Sequence, residues 1–272
     1  MTEPAHPEPV PVPPGVDPDV PHSARFWDAL LGGRHHFAAD QAAAELFERE
    51  HPVVGQAARS SRRFLVRAVR HLVLVRGIRQ ILDIGPGLPT ANNTHEIAQA
   101  ADPSCRVVYV DNDPVVLAHA RGLLSSTPEG ATEWVLADVR DHERVHDESQ
   151  QTLNHTRPVA VIMLSMLGHL DPEEAVEVVG RYTEPLVEGS CLVVGDETDT
   201  PAMRRAADAY AATGAVPYHV RTREQIAATA TGGMRIQPPG VVPLDHWPAP
   251  EPGSGPPADV DGYVAVKERP GA

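Results

Sequence analysis

The stretch Ile81-Leu82-Asp83-Ile84-Gly85-Pro86-Gly87 decides the fold that we predict for this chain. It is an apolar run that contains one acid and ends in two glycines one residue apart. A short apolar run that is bounded by glycine is typical of a buried strand followed by a sharp turn. We therefore expect a strand over this run and a turn at its carboxyl end that passes close to a ligand.

Four later apolar runs also end in polar residues, and the steps from Asp83 onward are 28, 27, 27 and 31 residues. These polar residues are Asp111, Asp138, Ser165 and Asp196. One strand and one crossover helix occupy about this length, so the spacing predicts an α/β fold with a parallel sheet. Ligands of such sheets bind beyond the carboxyl ends of the strands. We expect these residues to surround a nucleotide-type ligand.

Three helices are predicted before the sheet, at 23–31, 39–50 and 54–76. The third repeats its apolar residues at i, i+3 and i+4, and Gly77 ends it. Its opposite face carries Arg62, Arg63, Arg67 and Arg70. We expect an N-terminal helical cap over 22–77, and one option is that it lies over the carboxyl edge of the sheet and roofs the ligand.

The two ends of the chain depart from this alternation of strands and helices. Residues 1–21 contain eight prolines, which predicts a disordered tail. The ligand-binding domain then covers 78–272. Near its end, 234–244 and 262–267 have strand character with no helix between them. We expect an antiparallel hairpin that closes one edge of a seven-stranded, mostly parallel sheet.

Charge and targeting features narrow the class of partner. The net charge is −14, and an acidic chain is repelled by phosphate backbones and by anionic membranes. The sequence shows no signal-peptide pattern and no apolar run long enough to span a bilayer. We expect a cytoplasmic protein with no nucleic-acid or membrane partner. Cys105 and Cys191 are predicted to be buried, reduced thiols.

The strand-end acids suggest distinct ligand contacts. Asp111 lies 24 residues beyond Gly87 and is expected to accept both hydroxyls of a ribose, whereas Asp113 precedes Pro114 and is expected to cap a helix. Asp138, with Val139, is placed for an adenine ring. Asp83 has two open roles, because it suits either a ligand ammonium group or the amides of its own loop.

The Asp83-x-Gly85-x-Gly87 motif, together with Asp111 and Asp138, resembles the S-adenosylmethionine-dependent methyltransferases with a Rossmann-like fold. Four strings are similar to one family of that class, the S-adenosyl methyltransferases that are common in actinobacteria and whose substrate is undetermined. These strings are 23–34, 37–40, 82–90 and 108–120. The resemblance implies a seven-stranded sheet with an antiparallel last strand. It also implies S-adenosyl-L-methionine as the cofactor and methyl transfer to a small-molecule acceptor.

Ten residues are the cofactor ligands that the motif and its surroundings predict. Arg34 is included because its guanidinium suits the carboxylate of the methionyl group. The set is Asp83, Gly85, Pro86, Gly87, Asp111, Asn112, Asp138, Val139, Ser165 and Arg34.

The catalytic residues are less well defined by the sequence. A general base is needed only for hydroxyl, thiol or protonated-amine acceptors, and the candidates are His35, His36 and His169. His35-His36 stands where the family usually has an acid-amide pair, so this chain is expected to differ from its relatives in substrate or activity if that turn contacts the substrate or the methionine end of the cofactor. No metal site is predicted, because these adjacent histidines diverge on any regular element.

Two alternative functions stay open at this point. An NAD-linked oxidoreductase fits the alternation of strands and helices and the position of Asp111. Such a fold usually has a G-x-G-x-x-G motif, however, and the position of the third glycine is occupied here by Thr90, which follows Pro89. A non-catalytic S-adenosylmethionine sensor is the other alternative. It would keep the cofactor site and lack the acceptor site.

Overall fold

The computed structural model of the protein describes residues 12–89, 92–123, 125–229, 233–248 and 262–271. These residues form nine α-helices: α1 (Ser23–Leu30), α2 (Ala38–Glu50), α3 (Val54–Leu74), α4 (Thr94–Ala101), α5 (Pro114–Leu123), α6 (His142–Ser149), α7 (Pro172–Thr183), α8 (Pro201–Ala211) and α9 (Arg223–Ala228). They also form eight strands: β1 (Gln80–Ile84), β2 (Arg106–Asp111), β3 (Ala131–Leu136), β4 (Ala160–Leu164), β5 (Cys191–Glu197), β6 (Arg235–Ile236), β7 (Val242–Pro243) and β8 (Gly262–Glu268).

The strands make one sheet in the order β3-β2-β1-β4-β5-β8-β6, and β7 also pairs with β8. β1 to β5 are parallel, and β8 is antiparallel to β5. The predicted α/β fold with an antiparallel last strand is therefore confirmed. The predicted strand over 234–244 is split into β6 and β7. Pro238 and Pro239 between them have no N–H for the ladder, and Gly240 turns with a φ of 98°.

Helices cover both faces of the sheet. Successive strand residues point to opposite sides, so each face contributes its own set of buried side chains. α3 and α4 pack on the face that carries Ile81. α6, α7 and α9 pack on the face that carries Leu82 and Ile84. Buried parallel strands have near-continuous apolar runs for this reason, which is why their positions are readable in the sequence.

The starts of the crossover helices follow local signals in the sequence. α4 begins at Thr94 as predicted, and the Glu96 carboxylate accepts the Asn93 N–H at 2.7 Å. α7 begins at Pro172, directly after Asp171.

The cap helices share apolar clusters with the rest of the chain. α1 and α2 pack against α8, where the rings of Phe26, Phe47 and Tyr210 meet. The division of the chain at residue 77 stays a prediction. Residues 1–11 of the predicted tail lie outside the described residues, and so does most of 248–260. Within 12–21, Val16 packs against the cluster of Ala24 and Leu88.

The helices and the cysteines were also subjects of predictions from the sequence. Among the described helices, none combines the length and the apolar character that crossing a bilayer requires. Cys105 and Cys191 are buried free thiols, as predicted, and burial raises the pKa of each thiol to about 11.

The packing of α3 on the sheet yields a direct test. Leu72 is fully buried, whereas Leu74 on the same helix is 57% exposed. We expect Leu72→Ala to lower the free energy of unfolding by about 2–5 kcal/mol, because it leaves a cavity beneath the helix. Leu74→Ala is the matched control and should cost less than about 0.5 kcal/mol. Urea denaturation of both variants measures the difference, and equal losses would contradict this packing.

Candidate functional site

A cavity of about 280 Å³ lies at the carboxyl ends of β1 to β4, beneath α1 and beside α3. The segments that follow the strands form its floor. Of the ten residues predicted to bind the cofactor, all but Arg34 line this cavity: Asp83, Gly85, Pro86, Gly87, Asp111, Asn112, Asp138, Val139 and Ser165.

The turn after β1 requires its two glycines. Gly85 and Gly87 both have a φ of 70°, a left-handed conformation that side chains disfavour. A Cβ on Gly85 would also lie 2.8 Å from the Cβ of Met166. Gly87 donates its N–H to the Asp111 carboxylate at 3.2 Å, which links the turn to the end of β2.

Asp111 and Asp113 have separate surroundings. The Asp111 carboxylate is buried, lines the cavity and accepts the N–H groups of Gly87 and Asp113. Burial raises its pKa, although these hydrogen bonds and the charge of His22 oppose the shift. Asp113 accepts the Val115 N–H at the start of α5 and does not line the cavity. Asp113 thus holds the start of α5, as predicted, whereas the ribose contact of Asp111 stays a prediction.

Asp83 is buried beside the glycine turn, where it accepts the Thr94 hydroxyl at 2.6 Å. Burial raises the pKa of Asp83 to about 6, while the Thr94 hydrogen bond and the charge of Arg62 act in the opposite direction. The sequence predicted that Asp83 contacts either a ligand ammonium group or the amides of its own loop, and it did not predict the contact with Thr94. This contact fixes the carboxylate to the first turn of α4.

Asp138 and Val139 form the rim of the cavity after β3. Asp138 is about 40% exposed, and its carboxylate lies 3.3 Å from the Arg140 guanidinium. Arg140 is held in turn by Glu174 at 2.6 Å. Val139 is buried and presents an apolar side to the cavity.

The roof is attached to the floor by a buried ion-pair network that the sequence pattern did not reveal. The Arg25 guanidinium lies 3.3 Å from Asp113 and 3.4 Å from Asp40. His22 lies 3.1 Å from Asp113. Burial by itself lowers the pKa of His22, but its hydrogen bond and its charge interaction with Asp113 outweigh this, so the pKa is raised. The network holds α1 over the cavity.

The glycine turn after α1 lies outside the cavity lining. Arg34 is exposed, and neither His35 nor His36 lines the cavity. Asp28, which does line it, accepts the His35 N–H at 2.9 Å and the His36 Nδ1–H at 2.8 Å. Asp28 therefore holds these two histidines outside the cavity lining, and His169 is the candidate base within it.

His169 reaches the cavity from the segment after β4. Its Nδ1 lies 3.2 Å from the Pro217 carbonyl, which can only accept, so Nδ1 carries the proton. Nε2 then bears a lone pair, and within the described residues this buried atom has no hydrogen-bond partner. Burial lowers the pKa of His169 to about 4. The ring is neutral at physiological pH and is an obligate acceptor at Nε2.

A second buried network positions the His169 segment. Arg221 donates to the carbonyls of Leu167 and Leu170 at 2.6 and 2.9 Å and lies 3.4 Å from Asp196. Asp196 also accepts the Gly168 N–H and the Tyr218 hydroxyl. Burial raises its pKa to about 6, although Arg221 opposes the shift. Asp196 was predicted at the ligand edge, and the structure uses it to hold this segment.

The predicted position of Arg62 on the outer face of α3 is wrong. The spacing placed it on the face away from the apolar residues, but the structure places it half-buried in the cavity wall. The rotation of α3 about its own axis determines which side chains face the cavity. The spacing of apolar residues in the sequence does not give that rotation.

Two further histidines, His142 and His146, are spaced i, i+4 on α6, a spacing at which two side chains can share a metal ion. Among the residues that the structure describes, no group of three His, Cys, Asp or Glu side chains is arranged to hold a metal ion.

Comparison with known proteins gives the family of the chain. A sequence model of the family described as S-adenosyl methyltransferase matches residues 11–268. The chain belongs to this S-adenosyl methyltransferase family. S-adenosyl-L-methionine is thus its cofactor, and the predicted methyltransferase activity is confirmed. The NAD-linked oxidoreductase and the non-catalytic sensor are not favoured.

Solved structures support the same assignment. The methyltransferase is similar to a DUF574 family protein of Streptomyces avermitilis MA-4680, with 39% identity over 93% of this chain and 99% of that chain and a TM-score of 0.88. It is also similar to a candidate methyltransferase of Thermobifida fusca YX, with 38% identity, 95% and 98% coverage and a TM-score of 0.86.

A more distant likeness shows the fold alone. An O-methyltransferase family 2 protein of Planctomyces limnophilus DSM 3776 has 15% identity and a TM-score of 0.50, over 85% of this chain and 66% of that chain. No curated protein matches the sequence.

The burial of Asp83 predicts that replacing it with a neutral residue raises the stability of the protein in a pH-dependent way. The pKa of Asp83 is about 6 in the folded protein, against an ordinary value of 3.8, so folding retains a proton that the unfolded chain has lost. Stability is therefore lost as pH rises through this interval. We expect Asp83→Asn to raise the free energy of unfolding at pH 7.5 by up to about 3 kcal/mol, with no gain near pH 4.

Chemical denaturation of wild type and variant at both pH values provides the measurement. Asp138→Asn, at the exposed rim of the same cavity, is the control and should change stability by less than about 1 kcal/mol. A pH-independent difference for Asp83→Asn would argue against a raised pKa.

Proposed function

We propose that this methyltransferase transfers the methyl group of S-adenosyl-L-methionine to the hydroxyl group of a small, largely apolar molecule. The observation that carries the proposal is the cavity at the strand ends, with Asp111 on its floor and His169 in its lining. The bound cofactor supplies an electrophilic methyl group that passes directly to the acceptor, so no covalent protein residue is required.

The floor of the cavity fits an adenosine group. Asp111 is a desolvated acceptor, and a pair of ribose hydroxyls would supply the donors that its buried carboxylate favours. Gly85 and Gly87 leave space where any Cβ would be strained. The apolar side of Val139 and the carboxylate of Asp138 suit the ring and the amino group of adenine.

The end of the cavity beneath α1 supports a site for the acceptor. Trp27 on α1 and Leu31 directly after it belong to the cavity lining, together with Met166, Leu170 and Val216. These five side chains are apolar, and pockets with an apolar lining and few polar groups select small organic ligands. The net charge of −14 further disfavours a nucleic-acid acceptor.

The state of His169 favours a hydroxyl acceptor over an amine. Nε2 bears a lone pair that has no partner among the described residues, and the O–H of an acceptor would be a suitable donor to it. A methylated hydroxyl is a far stronger acid than imidazolium, so even a ring with a pKa of about 4 takes its proton. An alkylammonium of pKa about 10 would not give its proton to such a weak base.

Calorimetry with S-adenosylhomocysteine tests the cofactor site. We expect Asp111→Asn to weaken its binding by at least about tenfold, because hydrogen bonds to a charged acceptor contribute about 1.5–3 kcal/mol. The variant should stay folded, since it removes a buried charge.

Asp147→Asn is the matched control, as Asp147 is exposed on α6 and does not line the cavity. Its affinity should equal that of wild type. NAD should give no binding heat with any of the three proteins. Micromolar NAD binding, or equal affinities for wild type and Asp111→Asn, would refute the proposed cofactor site.

The variant His169→Asn tests the proposed base. Asparagine keeps an N–H for the Pro217 carbonyl and removes Nε2. We expect methyl transfer to hydroxyl acceptors to fall by about 10²–10⁴, the usual contribution of a general base, with S-adenosylhomocysteine affinity unchanged. The measurement is tritium transfer from labelled cofactor into alcohols, phenols and amines of matched skeleton.

Nitrogen NMR of the histidine rings provides a readout that needs no acceptor. The wild-type spectrum should show His169 in the neutral Nδ1–H form down to about pH 4. Preferential methylation of the amines, at equal rates in wild type and His169→Asn, would count against a hydroxyl acceptor.

A further inference from the structure

A second cavity, of about 220 Å³, lies between α6 and α7. Among the described residues, it shares no lining residue with the cavity at the strand ends. Leu82 of β1 and Tyr182 of α7 belong to its lining, which also contains three imidazole rings, those of His142, His146 and His155. This concentration of imidazole is the feature that the proposed function does not use.

Two of the three imidazoles lie on one side of α6. The stretch His142-Glu143-Arg144-Val145-His146 places them four residues apart, and both line the cavity. Side chains with this spacing are neighbours on a helix, with about 5–6 Å between their Cβ atoms. Two imidazoles at this separation can bind one metal ion, as they do in helical H-E-x-x-H zinc sites.

The His142 ring is oriented by a backbone carbonyl. Its Nδ1 lies 3.4 Å from the Arg140 carbonyl, which can only accept, so Nδ1 carries the proton and Nε2 bears the lone pair. Histidines that bind metals usually donate their second ring N–H to a carbonyl or a carboxylate in this way. His142 therefore has the tautomer of a metal ligand.

The His146 ring is supported by its neighbours. It packs against the His155 ring, with 4.5 Å between the two ring centroids. The Ser149 hydroxyl donates to the His146 carbonyl at 3.0 Å, so it accepts from His155 Nε2, also at 3.0 Å. Because no three such side chains in the described part of the chain are arranged around one ion, we assign His155 to the support of His146 and not to coordination.

The charges around the pair are compatible with a cation. Glu143 lines the cavity, and Asp147 follows His146 on α6 and is exposed. Arg181 also lines the cavity, but its guanidinium donates to Glu177 at 3.2 Å. The whole chain carries a net charge of −14, which attracts cations.

We propose that His142 and His146 bind one divalent cation of the zinc, nickel and copper class, with water molecules as the remaining ligands. Imidazole favours these ions, whereas Mg²⁺ and Ca²⁺ favour oxygen ligands. Two protein ligands leave coordination positions to water, so the site is weaker than a closed structural zinc site. The inference is independent of the proposed cofactor and acceptor sites.

Calorimetry with Zn²⁺ in a buffer free of chelators tests this site. We expect the tightest binding step to take up one Zn²⁺ per chain, and Mg²⁺ at the same concentration to give no heat. His142→Gln and His146→Gln should each weaken this step by at least about tenfold, since even the loss of a group that only supports a ligand costs about 10- to 100-fold. The double variant should bind within about threefold of the weaker single variant, because one imidazole alone does not chelate.

Two control variants make the comparison specific. His219→Gln should bind Zn²⁺ as wild type does, because His219 is 42% exposed and lies outside the lining of both cavities. His119→Gln tests a competing pair, since the rings of His35 and His119 are 4.1 Å apart at their centroids. It should also bind as wild type does. Urea denaturation without metal checks folding, and the partly exposed His142 and His146 should tolerate glutamine.

Thermal unfolding provides a second readout. Saturating Zn²⁺ should raise the Tm of wild type and leave that of the double variant unchanged, because a ligand stabilises only the state that binds it. The inference is overturned if wild type binds no Zn²⁺ or binds Mg²⁺ equally well. It is also overturned if both single variants bind Zn²⁺ as wild type does, if their losses add in the double variant, or if His119→Gln shows the selective loss instead.

Discussion

The burial of three carboxylates at the carboxyl edge of one sheet is the constraint on which the rest of the structure depends. Asp83, Asp111 and Asp196 are each buried, and burial raises the pKa of each. The protein stabilises them differently. Asp196 has a guanidinium partner in Arg221, whereas the groups that donate to Asp83 and Asp111 are a neutral hydroxyl and backbone amides. Arg221 neutralises the charge of Asp196 within the fold, whereas Asp83 and Asp111 keep a negative charge that a ligand in the cavity can satisfy.

The cavity exists because the helical cap is attached to the same edge. Arg25 and His22 connect α1 to Asp113, which follows the cavity acid Asp111 by two residues. Asp113 also holds the first turn of α5, so roof, strand end and crossover helix meet at one carboxylate. A surface ion pair would contribute little to such an attachment, but removing one partner of a buried pair leaves an uncompensated charge. The roof position is therefore determined by the same segment that presents Asp111.

Strand positions and helix starts were predictable from the sequence because they depend on local patterns. The near-continuous apolar runs, the glycine turn and caps such as Asn93 with Glu96 need no knowledge of tertiary contacts. The location of Arg62 was not predictable, since it depends on how α3 rotates against the sheet. Arg34 shows the converse, because its motif placed it near the ligand and the fold leaves it exposed. Nine of the ten residues predicted as cofactor ligands line the cavity, and each of these lies at or next to a strand end.

The charge state of the proposed base is consistent with a cationic methyl donor. A protonated histidine beside a sulfonium would repel it, and this repulsion is stronger for partly buried groups than for groups in bulk water. The Pro217 carbonyl holds the His169 proton on Nδ1, and burial keeps the ring neutral. Asp196 acts on the ring only through Gly168, Tyr218 and Arg221, so its charge orients the segment without raising the basicity of His169 by direct contact. A weak, neutral and rigidly held acceptor removes a proton only from a group that methylation has made strongly acidic. The proposal of a hydroxyl acceptor therefore depends on the position of this one lone pair.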